Sequence, residues 1–240
     1  ALQKTKYRTI ELRQVYRQQD TKFLDLLNKI RTNQADESAI NELNKRYIPG
    51  FVPADGEGYI TLTTHNYQAQ RINEQRLDAL PGTSYTFQAR IEGEFPEYLY
   101  PIDKTLSLKQ GAQIMFVKND SSGNGRYYNG KIGKVTRIDS RHIEVIAEGD
   151  THSIIFEAET WQKNQYTLND ETKEITEKEL GTFIHFPIKL AWAITIHKSQ
   201  GLTFERAVIN ANASFAHGQV YVALSRCKTL EGMVLGAPLN

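Results

Sequence analysis

Apolar residues fall into three regimes along the chain. From Asp20 to Arg31, Phe23, Leu26, Leu27 and Ile30 recur at the spacing of one helix face, with Asp20 placed to cap the first turn. A second helix is predicted after Asp36, with Ile40, Leu43 and Tyr47 on one side, ending before Pro49 and Gly50. Tyr59 to Thr64 is β-branched and aromatic, and Asn66 to Leu80 returns to helical spacing through Ala69, Ile72, Leu77 and Leu80, so a strand runs directly into a helix. After Pro81 and Gly82 the helical period vanishes. Tyr85, Phe87, Ala89 and Ile91 alternate, and Ile114 to Val117, Lys131 to Ile138, His142 to Ala147 and Ser153 to Phe156 are short strand candidates between Gly, Asn, Ser and Asp turns, the pattern of a small antiparallel barrel. From Phe183 the third regime begins: an apolar run from Leu190 to Ile196, a strand at Ala207 to Ile209 and a helix at Val220 to Leu224.

The expected fold class is therefore α/β: one domain built from residues 1–106 and 187–240, interrupted by an inserted barrel at 107–186. Composition agrees with a folded chain, since 40% of the 240 residues are apolar and 24% charged. Lys and Arg number 29 against 28 Asp and Glu, so binding of nucleic acid by bulk charge is excluded and any such binding must use a local patch. Charge is uneven inside the barrel region. Residues 109–137 carry six basic side chains against Asp120 alone, whereas 139–179 carry four against eleven acidic ones, so one end is expected to face a phosphate chain and the other not. The single cysteine, Cys227, rules out an internal disulfide or a cysteine metal cluster. No apolar run approaches the roughly 18 residues of a spanning helix, and the polar, basic start is no signal peptide, which reads as a cytoplasmic, monomeric protein without membrane contact. The chain starts at Ala1 and enters patterned sequence at once, as a fragment of a longer protein would.

Gly125 to Lys131 formally matches the start of a phosphate-binding P-loop, but Ile132 has no hydroxyl for Mg²⁺ and the sequence continues as a strand rather than a helix. A glycine-assisted turn is the better reading. Thr195-Ile196-His197-Lys198-Ser199-Gln200-Gly201 follows an apolar run directly and places hydroxyls, an imidazole, an ammonium and an amide in one turn. By its residues it is either a phosphate-contacting loop or a satisfied polar turn. Gln219 to Arg226 is an apolar helical turn ending in arginine, which either caps that helix or reaches a charged ligand, and Arg17 in Leu12 to Gln18 poses the same choice.

Taken together these segments resemble the C-terminal half of superfamily-one DNA helicases that move 5′ to 3′, the RecD-like and petite-integration-frequency families. The resemblance covers nearly the whole chain. Leu12 to Arg17 is similar to helicase motif IV, Thr63 to Asn66 to the strand-to-helix segment that cradles single-stranded DNA, Gly111 to Phe116 to the start of an inserted SH3-like barrel, Pro187 to Gly201 to motif V and Tyr221 to Arg226 to motif VI. It implies a second RecA-like helicase domain with an SH3-like insertion, in which Arg17 and Arg226 approach the γ-phosphate and Gln200 and Gly201 lie near the nucleotide. Thr195, His197, Lys198 and Ser199 would face DNA phosphates, with Thr64, His65 and Asn66 gripping the strand from the other side. The partners implied are single-stranded DNA and an N-terminal RecA-like domain of the same protein.

The sequence departs from a whole helicase in having no genuine P-loop and no Asp-Glu pair for Mg²⁺ in the expected strand context. ATP and Mg²⁺ are then expected mainly on the first domain, with no cofactor or metal held by this chain alone and no ATP hydrolysis by it. Two other classes of function stay open: a stand-alone nucleic-acid-binding or interaction module without a motor, and a barrel that recruits a protein through its acidic end, residues 139–179.

Overall fold

The computed structural model describes residues 8–10, 18, 20–147, 149–168, 174–210 and 218–239. Helices α1 (Thr21–Arg31) and α2 (Glu37–Asn44) start where aspartates cap them, since Asp20 accepts from the Phe23 N–H at 3.1 Å and Asp36 from the Ala39 N–H at 2.8 Å. The second helix is shorter than its pattern predicts. It ends at Asn44, and Tyr47 instead makes a strand-like bridge to Leu235 near the end of the chain. β1 (Ile60–Thr63) feeds directly into α3 (Asn66–Ala79), as the strand-to-helix pattern requires.

The next ten strands leave this layer. β2 (Tyr85–Gln88) pairs with β4 (Thr105–Leu108), while β3 (Arg90–Gly93) joins the long hairpin of β9 (Glu159–Leu168) and β10 (Ile175–His185), in the order β3-β10-β9. β5 (Gln113–Phe116), β6 (Ile132–Ile138), β7 (Ile143–Ala147), β8 (Ile154–Phe156) and β11 (Ile188–Leu190) form a five-stranded antiparallel sheet in the order β11-β5-β6-β7-β8. The chain then returns to the first layer through β12 (Ala193–Thr195), β13 (Ala207–Ile209), α4 (Gln219–Leu224) and β14 (Met233–Leu235). Among the described residues these form one parallel sheet, β12-β1-β13-β14, whose first two strands in space are separated by about 130 residues in sequence.

An α/β layer interrupted by an all-β unit is thus present, but three expectations need correction. Tyr85 to Ile91 is two strands of different sheets, not one. The apolar run from Leu190 to Ile196 is likewise divided: β11 ends the antiparallel sheet, Ala191 and Trp192 turn the chain, and β12 begins the parallel one. The domain limits at 106/107 and 186/187 fall, in turn, inside β4 and just before β11, so every strand from Tyr85 to Leu190 lies outside the parallel sheet.

Two hydrophobic cores follow from this arrangement and meet on β5. Met115 packs into the core of the parallel sheet with Phe23, Ile60, Leu62 and Phe204, whereas its neighbours Ile114 and Phe116 point the other way into a core with Leu108, Val145, Phe156 and Trp192. Strand alternation alone accounts for this, and it is why all four residues of β5 are buried. Polar clamps hold the two layers at the turn between β11 and β12. The Gln113 side-chain amide donates to the carbonyls of Tyr59 and Ala191, both at 2.8 Å, and the Ala191 N–H returns to the Gln113 carbonyl at 3.0 Å. On the outer side of β12, Asn73 of α3 donates to the Ala193 carbonyl and accepts from its N–H, both at 2.9 Å, supplying the hydrogen bonds that a further strand would give.

The cations of the antiparallel unit are not gathered on one face. Lys118 pairs with Glu159 at 3.0 Å, Lys131 with Asp150 at 2.6 Å and Arg126 with Asp120 at 2.9 Å, while Lys109 donates to the Leu80 carbonyl at 2.8 Å. The basic and acidic stretches fold onto one another, so the expected division into a phosphate-facing end and an acidic end does not survive. The Gly125 to Lys131 segment is a loop leading into β6, with the Lys131 ammonium on Asp150, and no helix follows it. Among the described residues no helix is long and apolar enough to cross a membrane.

Replacing Asn73 by Ala removes both bonds to Ala193 and leaves buried backbone groups of an edge strand unpaired. Urea unfolding should show a loss of about 1–3 kcal/mol, and an unchanged midpoint would exclude Asn73 as the clamp.

Candidate nucleic-acid interface

The parallel register brings two separated polar segments side by side. Thr63 at the end of β1 lies opposite Thr195 at the end of β12, and the Ile196 N–H donates to the Thr63 carbonyl at 2.9 Å. Thr64, His65 and Asn66 therefore leave the sheet at the same edge as Thr195 to Gly201, although about 130 residues separate them in sequence. This is the usual place for ligands on an open parallel sheet, beyond the carboxyl ends of the strands.

Within each segment the side chains divide into those that shape the edge and those that face outward. After β12 the backbone coils into a turn, with the Ser199 N–H on the Thr195 carbonyl at 3.0 Å and the Leu202 N–H on the Ser199 carbonyl at 3.0 Å. Ser199 is fully buried and donates its hydroxyl to the Ile196 carbonyl at 2.7 Å, and Thr195 is buried beneath the Lys198 N–H. Both were expected to face phosphate. Burial instead gives their hydroxyls to the turn, which leaves His197, Lys198 and Gln200 as its exposed side chains. Gly201 ends the turn at φ +84°, a left-handed conformation that a side chain would strain. On the other segment the half-buried Thr64 hydroxyl lies 2.7 Å from His65 Nδ1, and His65 and Asn66 are exposed at the start of α3.

One outward residue carried no motif. Tyr67 is 62% exposed, and its ring centroid is 5.5 Å from that of His65. An exposed aromatic beside an exposed imidazole is the kind of surface on which a base can stack. The signal available in sequence was its place as the second residue of a predicted helix, off the apolar face.

Arg226 lies at the other flank of this turn. It is 8% exposed, with Nε donating to the Val222 carbonyl at 3.0 Å, one terminal nitrogen to the Leu202 carbonyl at 3.3 Å and the other to Ser225 Oγ at 2.9 Å. Its backbone carbonyl accepts from the Phe204 N–H at 2.9 Å, so the arginine is tied to the segment that follows Gly201. Arg17 lies outside the described residues. Its sequence neighbour Gln18 is described and informative: the buried amide donates at 3.0 Å to the carbonyls of both Ser225 and Cys227, bracketing Arg226. Sequence reasoning missed Gln18. Cys227 beside it is fully buried, which pushes its thiol up to about 12 and makes it a packing residue. Among the described residues no cluster of His, Cys, Asp and Glu could hold a metal ion.

A parallel sheet with a polar strand-to-helix edge, an arginine tied to that edge and a large all-β insertion is the mixed α/β fold of a RecA-like domain. Comparison with known proteins gives the same class in narrower form. The chain is 33% identical to the human ATP-dependent DNA helicase PIF1 over 233 residues, which is 94% of this chain and 34% of that protein. It superposes on unliganded Pif1 from Bacteroides sp with a TM-score of 0.86 at 38% identity, covering 95% of this chain and 52% of the other, and on Bacteroides Pif1 bound to ssDNA with a TM-score of 0.68 at 38% identity. No family model matches the sequence. Over nearly its whole length the chain is homologous to the Pif1 family of ATP-dependent DNA helicases. It spans from about a third to about half of the length of these relatives.

The division into shaping and facing residues has a measurable consequence in the isolated chain. Ser199→Ala should lower the stability to urea by about 1 kcal/mol through loss of the buried hydrogen bond, whereas Lys198→Ala should leave the midpoint unchanged; the reverse pattern would exchange their roles.

Proposed function

We propose that this chain is the C-terminal portion of an ATP-dependent DNA helicase, comprising its second RecA-like domain with an SH3-like barrel inserted between α3 and β12. The observation that carries the reading is the shared edge, where the exposed His65, Tyr67, His197 and Lys198 follow the ends of two adjacent parallel strands. Ammonium and imidazole groups hold the backbone of single-stranded DNA, and the aromatic ring stacks on its bases. Neither contact depends on sequence, as stepping along a strand requires. Thr64 and Asn66 complete the grip, with Thr195 and Ser199 beneath fixing the turn that presents Lys198. That a relative has been solved bound to ssDNA supports this assignment.

Arg226 is the second half of the proposal. Hydrogen bonds to Val222, Leu202 and Ser225 hold its guanidinium in a fixed place, and preorganised positive charge of this kind stabilises charge that develops on a phosphoryl group in transfer. In our reading Arg226, with Arg17, meets the γ-phosphate of ATP, and Gln200 and Gly201 border the nucleotide. The described residues do not fit a complete nucleotide site: the Gly125 to Lys131 loop is no phosphate cradle, and no carboxylate cluster is placed for Mg²⁺. In our reading ATP and Mg²⁺ are bound mainly by an N-terminal RecA-like domain of the longer protein, and this chain alone binds ATP negligibly and hydrolyses none.

Two sets of variants separate the faces. In the 240-residue chain, Lys198→Ala should weaken binding of an oligothymidylate and reduce the slope of log affinity against log salt by about 0.7, one phosphate contact on a single strand. Tyr67→Ala should weaken it by about 1–3 kcal/mol without changing that slope. In the full-length enzyme, Arg226→Ala should lower kcat by about a thousandfold or more with strand affinity retained. Collapse of strand affinity with normal turnover would reverse the assignment, and Mg²⁺-dependent ATP hydrolysis by the 240-residue chain would refute the division between domains.

A further inference from the structure

Amide side chains clamp backbone at several places in this fold. Asn73 and Gln113 each hold two backbone groups where the parallel and antiparallel sheets meet. Gln18 is a third clamp, on residues outside both sheets. It is 6% exposed, and its Nε2 donates at 3.0 Å to the Ser225 carbonyl and at 3.0 Å to the Cys227 carbonyl, far along the chain. Capping of α4 does not account for it. The last carbonyls of that helix are already taken: Val222 accepts from Ser225 Oγ and Arg226 Nε, Ala223 from the Arg226 N–H and Leu224 from the Cys227 N–H. Both hydrogens of the Gln18 amide go instead to the carbonyls on either side of Arg226.

The guanidinium of Arg226 donates to Val222, Leu202 and Ser225 from a backbone that Gln18 and the Phe204 N–H hold in place. Its direction is therefore set by three parts of the chain distant in sequence: α4 with its end, the stretch after Gly201, and Gln18. A charge that stabilises a phosphoryl group in transfer has to stand at one place, since a displacement of about 1 Å costs on the order of a hundredfold in rate. We propose that Gln18 is a positioning residue for nucleotide turnover, which makes no contact with ATP and acts by holding Arg226 toward the γ-phosphate. This rests on the reading of Arg226 as that phosphate contact. Arg17 precedes Gln18 in the sequence, so the clamp also joins the segment bearing one of the two arginines to the turn bearing the other. An arginine of this kind acts chiefly on the transition state, so loosening it lowers kcat and leaves KM for ATP nearly unchanged.

The test is made in the full-length enzyme with saturating single-stranded DNA, on Gln18→Met, Gln18→Asn, Arg226→Ala and the double variant Gln18→Met/Arg226→Ala. Gln18→Met keeps the volume and loses both hydrogen bonds, whereas Gln18→Asn keeps an amide too short to reach both carbonyls. In Gln18→Met kcat should fall about tenfold to a hundredfold, and in Gln18→Asn by less, with KM for ATP and affinity for an oligothymidylate close to wild type in each. In the Arg226→Ala background Gln18→Met should cost nothing further, to within about twofold. An amide that only supports the fold gives another pattern, the same fractional loss of kcat in both backgrounds. That result overturns the inference, as does wild-type kcat in Gln18→Met when Arg226→Ala is impaired; in both cases the reading of Arg226 stands. If Arg226→Ala itself turns over ATP at the wild-type rate, the reading of Arg226 fails and the inference falls with it. Should Gln18→Met not fold, the same cycle run with Gln18→Asn decides between these outcomes.

Discussion

The hinge of this architecture is the two-residue turn at Ala191 and Trp192. On one side the chain is the edge of an antiparallel sheet; on the other it is the edge of a parallel one. The Trp192 carbonyl accepts from the Thr61 N–H at 2.8 Å, but the Ala191 carbonyl and both backbone groups of Ala193 face away from β1, and leaving them unpaired would cost about 1–3 kcal/mol each. Gln113 resolves this from the barrel side by donating to both the Ala191 and Tyr59 carbonyls, and Asn73 resolves it from the helix side by matching both backbone groups of Ala193. Fixing this turn fixes the position of β12. Through the Thr63 to Thr195 register it also fixes the edge on which the polar turn sits.

That dependence explains why so much of the edge is buried. A loop presenting charged groups to a ligand has to hold its backbone still without the ligand's help. Ser199 and Thr195 do this by closing the turn on itself, and Gly201 ends it in a conformation closed to other residues. Gln18 does the same for Arg226 by bracketing it through the carbonyls on either side. The residue types in the motif therefore serve two purposes that composition cannot separate. Hydroxyls that look like phosphate ligands are framework, and the facing groups are imidazole, ammonium and aromatic.

Legibility followed the same physical line. Helix starts were readable because a capping aspartate and a periodic apolar face act within a few residues, as at Asp20 and Asp36. The edge residues Thr64 to Asn66 and Thr195 to Gly201 were readable as segments because each follows an apolar strand directly. Their adjacency was not, since it depends on pairing β1 with a strand beyond the insertion. The run from Leu190 to Ile196 could not show its own break, because a strand buried in either sheet is equally apolar. The hairpin of β9 and β10 was missed for the opposite reason: no residue of Glu159–Leu168 is buried and the first five residues of β10 are exposed, so its distal half shows no apolar face to detect. Tyr67 and Gln18 were invisible because a lone aromatic or amide gains meaning only from what lies beside it.

Charge shows most clearly how the folded chain differs from its linear reading. The nearly neutral total and the apparent basic stretch of the barrel pointed to a local patch there, yet folding pairs Lys118, Arg126 and Lys131 with carboxylates from the same unit. Paired surface cations contribute little attraction to a polyanion, because releasing them means breaking the pair already made. In the proposed reading a nucleic-acid backbone meets Lys198, which makes no ion pair among the described residues, beyond the end of β12. An interface of this kind draws its affinity from a few fixed contacts on a domain of almost no net charge.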